Sequence, residues 1–300
     1  MPDCKGTPGE GGLLGRGCVG RDSYARYALV KGLSERQRIG VNPLRFGFIG
    51  STDEHKGTMG DVDEWAQTER PVERRLGANP GALMGVWAEE NSRDAIFDAM
   101  RRRETFATSG PRIEARFFGS WALPEDLCQR PGSVEHAYDA GVAMGGTLSQ
   151  PPPGAAPHFL VSALRDSGTP EHPGTALQRI QIVKGWVGEN DTYMQRVFDV
   201  AGNKSDEASV DTRTCETSGP GHDSLCAVWS DPDFDASQHA VYYARVLENP
   251  SCRWSTYTCT ALEGDAARPP MCDDPRIPKT VQERAWTSPI WVEAAPEKSS

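Results

Sequence analysis

The stretch FGFIGSTDEHKGTMG, Phe46 to Gly60, sets Asp53 two residues before His55, straight after an apolar run and just ahead of Gly57 and Gly60. A carboxylate oxygen and an imidazole nitrogen are common protein donors to Zn, Mn or Fe. On extended backbone, residues two apart point to the same side, so both could reach one divalent cation at the C-terminal end of a strand. The glycines that follow would leave room for a substrate. Chance tempers this: with 6 histidines and 42 acidic residues in 300, about 0.8 acid-x-His triplets arise at random. The competing reading is a polar turn capped by Asp53, with His55 exposed.

Other residues could join this chemistry. Glu89 and Glu90 close the run GVWAEEN and could add carboxylates to the same rim or orient His55. Equally, they fall where the first turn of the next helix favours acids. Arg112 follows the turn Thr108-Ser109-Gly110-Pro111; its forked donors suit a substrate anion, although such an arginine also closes interfaces. Neither Ser51 nor Ser109 lies in a G-x-S-x-G elbow, which argues against a serine hydrolase. No glycine-rich loop opens a helix in the way a nucleotide phosphate site requires. Cys252, beside Arg253, could be a reactive thiolate, but the favoured reading is a structural cysteine bridged to Cys259 or Cys272.

The elements that must position these groups follow from periodicity. DSYARYALVKGLSERQRIG predicts a helix of about four turns, capped by Asp22 or Ser23 and stopped at Gly40. After Asn42-Pro43, LRFGFIG predicts a buried strand ending at Gly50. A long loop from Lys56 to Ala82 precedes a second strand, ALMGVWAEEN, after which Ser92 caps a helix over RDAIFDAMRRR. ETFATSGPRI gives a short strand and a turn. From Ile113 the pattern changes to period two: IEARFFGSW, HFLVSALRD, QRIQIVKGWV, MQRVFDVA, AVYYARVLE and SPIWVEA predict six strands of a β-sandwich, with no helix expected among them. The expected organisation is therefore α/β over residues 1–110 and a β-sandwich over residues 111–300.

Composition narrows the function classes. With 32 basic against 42 acidic residues and a net charge of −10, the chain lacks the basic surface that neutralises nucleic-acid phosphates. No apolar run approaches the ~20 residues of a membrane span. Eight cysteines without a C-x-x-C pair exclude a zinc ribbon. Five of them, Cys215, Cys226, Cys252, Cys259 and Cys272, crowd a polar stretch where one or two bridges would suit an exported protein. The N-terminal residues show no secretory leader; a periplasmic or secreted location would need one upstream, and the cytoplasm is expected otherwise.

FGFIGSTDEH, together with YARYALVKGL, GVWAEENSRDAIFDAMRRRETFATSGPRIEARFFGSW, LQRIQIVKGWV, YYARVLENPSCRWST and QERAWTSPIWV, resembles the DUF3604 family, a group similar to the PHP (polymerase and histidinol phosphatase) metallohydrolases. The resemblance spans Arg21 to Val292. It implies that Asp53 and His55 match the closing D-x-H ligand motif of a PHP-like (β/α) barrel, with Glu54 at the variable middle position. It also implies divalent metal ions (Zn, Mn or Fe) that activate water against a small-molecule phosphoester or related ester, His55 serving as ligand or proton donor. No histidine precedes His55, whereas such barrels open with H-x-H. The expectation is thus the C-terminal part of a barrel followed by an accessory β-sandwich, incomplete as a catalyst. The alternative function is a non-catalytic binding module in which the sandwich does the work beside a remnant half-barrel.

Overall fold

The computed structural model describes residues 20, 23–53, 55, 57–63, 65, 72, 76, 79–149, 151–203, 207–262, 264, 268–275 and 277–295. The first helix, α1 (Ala25–Ile39), ends where Gly40 turns left-handed at φ 80° and its N–H bonds Arg36 O, the cap that glycine adopts without strain. Tyr24 takes the N-cap position with no side-chain bond. Asp22, one of the two caps expected, lies outside the described residues. β1 (Leu83–Val86) leads to α2 (Arg93–Arg102), where Ser92 Oγ accepts the Ala95 N–H at 3.3 Å as expected. β2 (Thr105–Thr108) and β3 (Glu114–Ser120) follow, then α3 (Ser133–Ala140), β4 (Val142–Ala143), β5 (Thr147–Leu148) and β6 (His158–Leu164). Next come β7 (Leu177–Val187), β8 (Tyr193–Gly202), β9 (Ser209–Val210), β10 (Thr217–Ser218), β11 (Ser224–Ser230), β12 (Ala240–Glu248) and β13 (Ser251–Cys252). α4 (Trp254–Ala261), β14 (Thr280–Val281), β15 (Arg284–Thr287) and β16 (Ile290–Val292) complete the chain.

Two sheets face each other. The larger runs β1-β2-β15-β12-β7-β8; β16 also pairs with β12 and lies parallel to β5. The smaller runs β11-β6-β3-β4, all antiparallel. Their inner faces meet through Phe117 and Phe159, 5.3 Å between ring centroids, and Phe159 and Tyr242 at 4.6 Å, packed with Ile180, Ile182 and Ala244. α1 covers the outer face of the large sheet, seating Leu29, Val30 and Leu33 against Val183, Val187, Val241 and Tyr243. α3 covers the small sheet through Ala137, beside Phe118, Leu127 and Leu160. β7 and β12 are thus buried on both faces, which is why QRIQIVKGWV and AVYYARVLE read as almost continuous apolar runs.

The (β/α) barrel expected before residue 110 is corrected by this topology: the sheets are mainly antiparallel, and no closed barrel occurs among the described residues. β1 and β2 lie antiparallel to each other, and β2 pairs with β15, so one sheet draws strands from both sides of Gly110. A parallel crossover needs its helix laid on the sheet as a cover. α2 does not serve: Ala99 is its one buried residue, while Phe97 and Met100 are 58% and 45% exposed. The strand expected over LRFGFIG is also corrected. That segment joins no ladder; side chains fix it instead, Phe48 N–H to Ser288 Oγ at 2.8 Å and Thr105 Oγ1 to Phe48 O at 2.9 Å. A Cβ on Gly47 would stand 2.9 Å from Ser288 Oγ, so glycine permits this close approach. Two helices not expected among the sandwich strands, α3 and α4, complete the corrections.

One charged pair lies inside the sandwich. Lys184, on the inner face of β7, reaches Asp231 Oδ2 at 2.6 Å, and Tyr242 OH donates to the same oxygen at 2.6 Å. Lys184 also donates to Asp233 O at 2.8 Å, while Asp231 Oδ1 accepts the Asp233 N–H at 3.0 Å. With side-chain exposures of 6% and 0%, each charge depends on the other to offset its lost hydration. At the far end of β12 a second buried acid, Glu248, forms no ion pair among the described residues. Glu248 has a buried Oε1 without a hydrogen-bond partner among the described residues, as does Glu283. Burial first, then the Glu283 and Asp166 carboxylates, push the Glu248 carboxyl well above the usual carboxylate range, against Arg165.

Replacing Asp231 by Ala strands the Lys184 charge and is expected to cost about 3–5 kcal/mol in urea unfolding, whereas Lys184→Met with Asp231→Leu recovers most of that loss. A single-variant loss below about 1 kcal/mol contradicts a buried, mutually dependent pair. Glu248 carries the opposite pH signature from a salt-bridged acid. Because its folded pKa is raised, its stabilisation is full below the unfolded value and fades as pH rises through the folded one. Unfolding midpoints of the wild type should therefore drop, as pH rises above the usual carboxylate range, more than those of Glu248→Gln; identical slopes would refute the assignment.

Candidate functional site

Asp53 and His55 are both exposed. The segment carrying them is fastened at its start by Ala82 N–H to Ser51 O at 3.1 Å. Farther on, Val62 is buried, Asp63 meets Arg112 at 3.6 Å, and the Trp65 ring stacks on His172 at 3.7 Å between centroids. Asp53 has φ 52°, a left-handed conformation that aspartate tolerates better than most residues. This turn removes the extended geometry by which residues two apart share a side. The His55 Nδ1 lies 2.7 Å from Asp53 O, so imidazole and carboxyl belong to one local turn.

The remaining candidates do not gather around that turn into a ligand set. Glu89 and Glu90 are exposed in the bend between β1 and α2. Arg112 is exposed, with its backbone N–H on Asp166 Oδ2 at 2.7 Å and its guanidinium toward Asp63. Ser109 serves structure: its Oγ bonds the Glu283 carboxylate and accepts the Arg284 N–H. Glu54 lies outside the described residues. Among the described residues no three His, Cys, Asp or Glu side chains come together to hold an ion. The barrel rim expected to carry these ligands does not occur among the described residues.

A more enclosed arrangement surrounds α4. A cavity of about 120 Å³ is lined by Arg213, Arg268 and Lys279 from two chain segments and by Ser255, Thr256 and Thr260 from the helix. Two disulfides brace its walls. Cys215–Cys252 ties the segment carrying Arg213 to the entry of α4, and Cys259–Cys272 ties the helix to the segment carrying Arg268 and Lys279. Arg253 N–H and Thr256 Oγ1 both donate to Lys279 O, at 3.0 and 2.7 Å, which fixes the second wall. A third bridge, Cys128–Cys226, crosses 98 residues elsewhere in the sandwich. All six described cysteines are therefore paired, and Cys252 joins Cys215 rather than Cys259 or Cys272.

Charge in this cavity is partly compensated. Arg213 pairs with Asp211 at 3.0 Å and Arg268 with Asp273 at 2.6 Å, and the arginines hold both carboxyls below their ordinary range. Lys279 makes no ion pair among the described residues. The one sequence signal toward this site was the crowding of cysteines between 215 and 272. The cations themselves are scattered and carry no spacing pattern.

Among the described residues, no helix is long and apolar enough to cross a membrane. Neither the curated proteins nor the solved structures contain a match to the chain. The profile of a family described as "Protein of unknown function (DUF3604)" matches residues 16–294. With nearly its whole length matched, the chain belongs to the DUF3604 family.

Proposed function

We propose that the chain acts as a non-catalytic binding module, its β-sandwich presenting the disulfide-braced cavity around α4 to a ligand. The observation that carries this reading is the convergence of Arg213, Arg268 and Lys279 with three hydroxyl side chains on one cavity, its walls locked by two crosslinks. Walls held before a ligand arrives reduce the ordering cost of binding. The three described bridges also favour an oxidising compartment, where such crosslinks form and persist. Ester hydrolysis by a metal would instead need several donors fixed around an ion with an open position. Asp53 and His55 supply a single exposed turn.

Purified full-length chain with its disulfides intact, supplied with Zn, Mn or Fe(II), should turn over p-nitrophenyl phosphate and bis(p-nitrophenyl) phosphate no faster than a metal-only blank. Asp53→Ala and His55→Ala should behave as the wild type. Turnover that falls about 100-fold in either variant overturns the binding reading in favour of hydrolysis.

A further inference from the structure

The cavity around α4 has a sign. In a chain of net charge −10, three cationic side chains line one small space; among the described residues Arg213 meets Asp211, Arg268 meets Asp273 and Lys279 makes no ion pair. The helix adds to it. α4 starts without a side-chain cap and without an acid in its first turn, so the partial positive charge of its N-terminus is not offset locally. Ser255 and Thr256 from that first turn line the cavity and are themselves buried, 4% and 7% exposed.

Hydrogen-bond roles sharpen the chemistry. Ser255 Oγ accepts from Arg253 at 2.5 Å, which leaves its own proton available to an acceptor in the cavity. Thr256 spends its proton on Lys279 O and so positions the backbone that carries the lysine. The lining thus presents ammonium, guanidinium and hydroxyl donors, the complement of a compact, multiply charged acceptor. Leu76, buried, and the partly exposed Met271 and Ile277 supply an apolar flank. A volume of about 120 Å³ has room for a compact head group.

Resting on the binding-module reading, we infer that this cavity takes the tetrahedral oxyanion head group of a small organic phosphate or sulfate. Lys279 and the Ser255 hydroxyl would meet the oxygens, while Arg213 and Arg268 set the field. Specificity then lies in charge and head-group geometry, with the apolar flank receiving the first atoms of the organic part.

Isothermal titration of the full, oxidised chain with inorganic phosphate, sulfate and acetate tests the inference. Phosphate or sulfate should bind in the millimolar range or tighter and acetate more weakly, with affinity lost about tenfold in Lys279→Glu and reduced by added salt. Titration with phenyl phosphate and phenyl sulfate then separates the two sources, the tighter binder naming the natural head group. Should Lys279→Glu disturb folding, Arg213→Glu is the second probe, since that side chain is 86% exposed. No heat with either oxyanion, or equal affinity in wild type and a folded charge-reversal variant, overturns the inference. This readout is independent of ester turnover, so failure here and failure of the binding-module reading are distinguishable.

Discussion

β12 must be buried on both faces at once, and the rest of the molecule is arranged to satisfy that. Eight of its nine residues are buried, with Arg245 half-buried. Ala240, Tyr242, Ala244 and Val246 face the small sheet, while Val241 and Tyr243 face α1. β7 pairs along one side, and β15 and β16 share the other. A slip of one residue would exchange the two faces. It would turn Tyr242 away from Asp231 and leave the Lys184–Asp231 pair without its phenolic donor. Register, inter-sheet packing and the buried ion pair are therefore one constraint. The same strand fixes what lies beyond it: after Glu248, Asn249 N–H bonds Ala176 O and its side chain bonds Pro220 O, so the chain enters β13 and α4 from a set position.

From that position the two candidate sites differ in how they are held. The segment with Asp53 and His55 is anchored at its start and by Asp63 and Trp65 farther along, and between these His55 meets the Asp53 carbonyl of its own turn. The cavity around α4 has covalent bracing on both sides of one helix. A binding or catalytic constellation needs its groups held by supports that do not depend on the ligand. By that standard the braced cavity is the better-built site. Belonging to the DUF3604 family does not alter the comparison, since that family is described as one of unknown function.

All six of the long sandwich runs were legible as strands, some by alternation, which records the side chains that face a core, and QRIQIVKGWV and AVYYARVLE by the near-continuous apolar composition of strands buried on both faces. Neither pattern recorded direction or partner. GVWAEEN and ETFATSG read as strands flanking a capped helix, which is the pattern of a parallel α/β unit; the antiparallel pairing of β1 with β2 and the exposure of Phe97 and Met100 on α2 show otherwise. LRFGFIG has strand composition, yet Gly47 let it dock beside Ser288 through side-chain bonds. α3 and α4 escaped notice for a different reason. Gly132 and Arg253 cap them without side-chain bonds, and WSTYTCTA is rich in threonine, so neither start signals nor propensity announced a helix. Cysteine number indicated crosslinking, but pairing depends on folded proximity, and spacing alone does not determine it.

Amide chemical-shift mapping of the full, oxidised chain tests the central claim most directly, with phenyl phosphate, ethanolamine and glucose as anionic, cationic and neutral probes. The account predicts that phenyl phosphate alone perturbs the spectrum and that the shifts gather at residues 211–217, 253–260 and 268–281. Shifts centred on residues 51–63 and 109–112, or produced equally by the cationic probe, would contradict it.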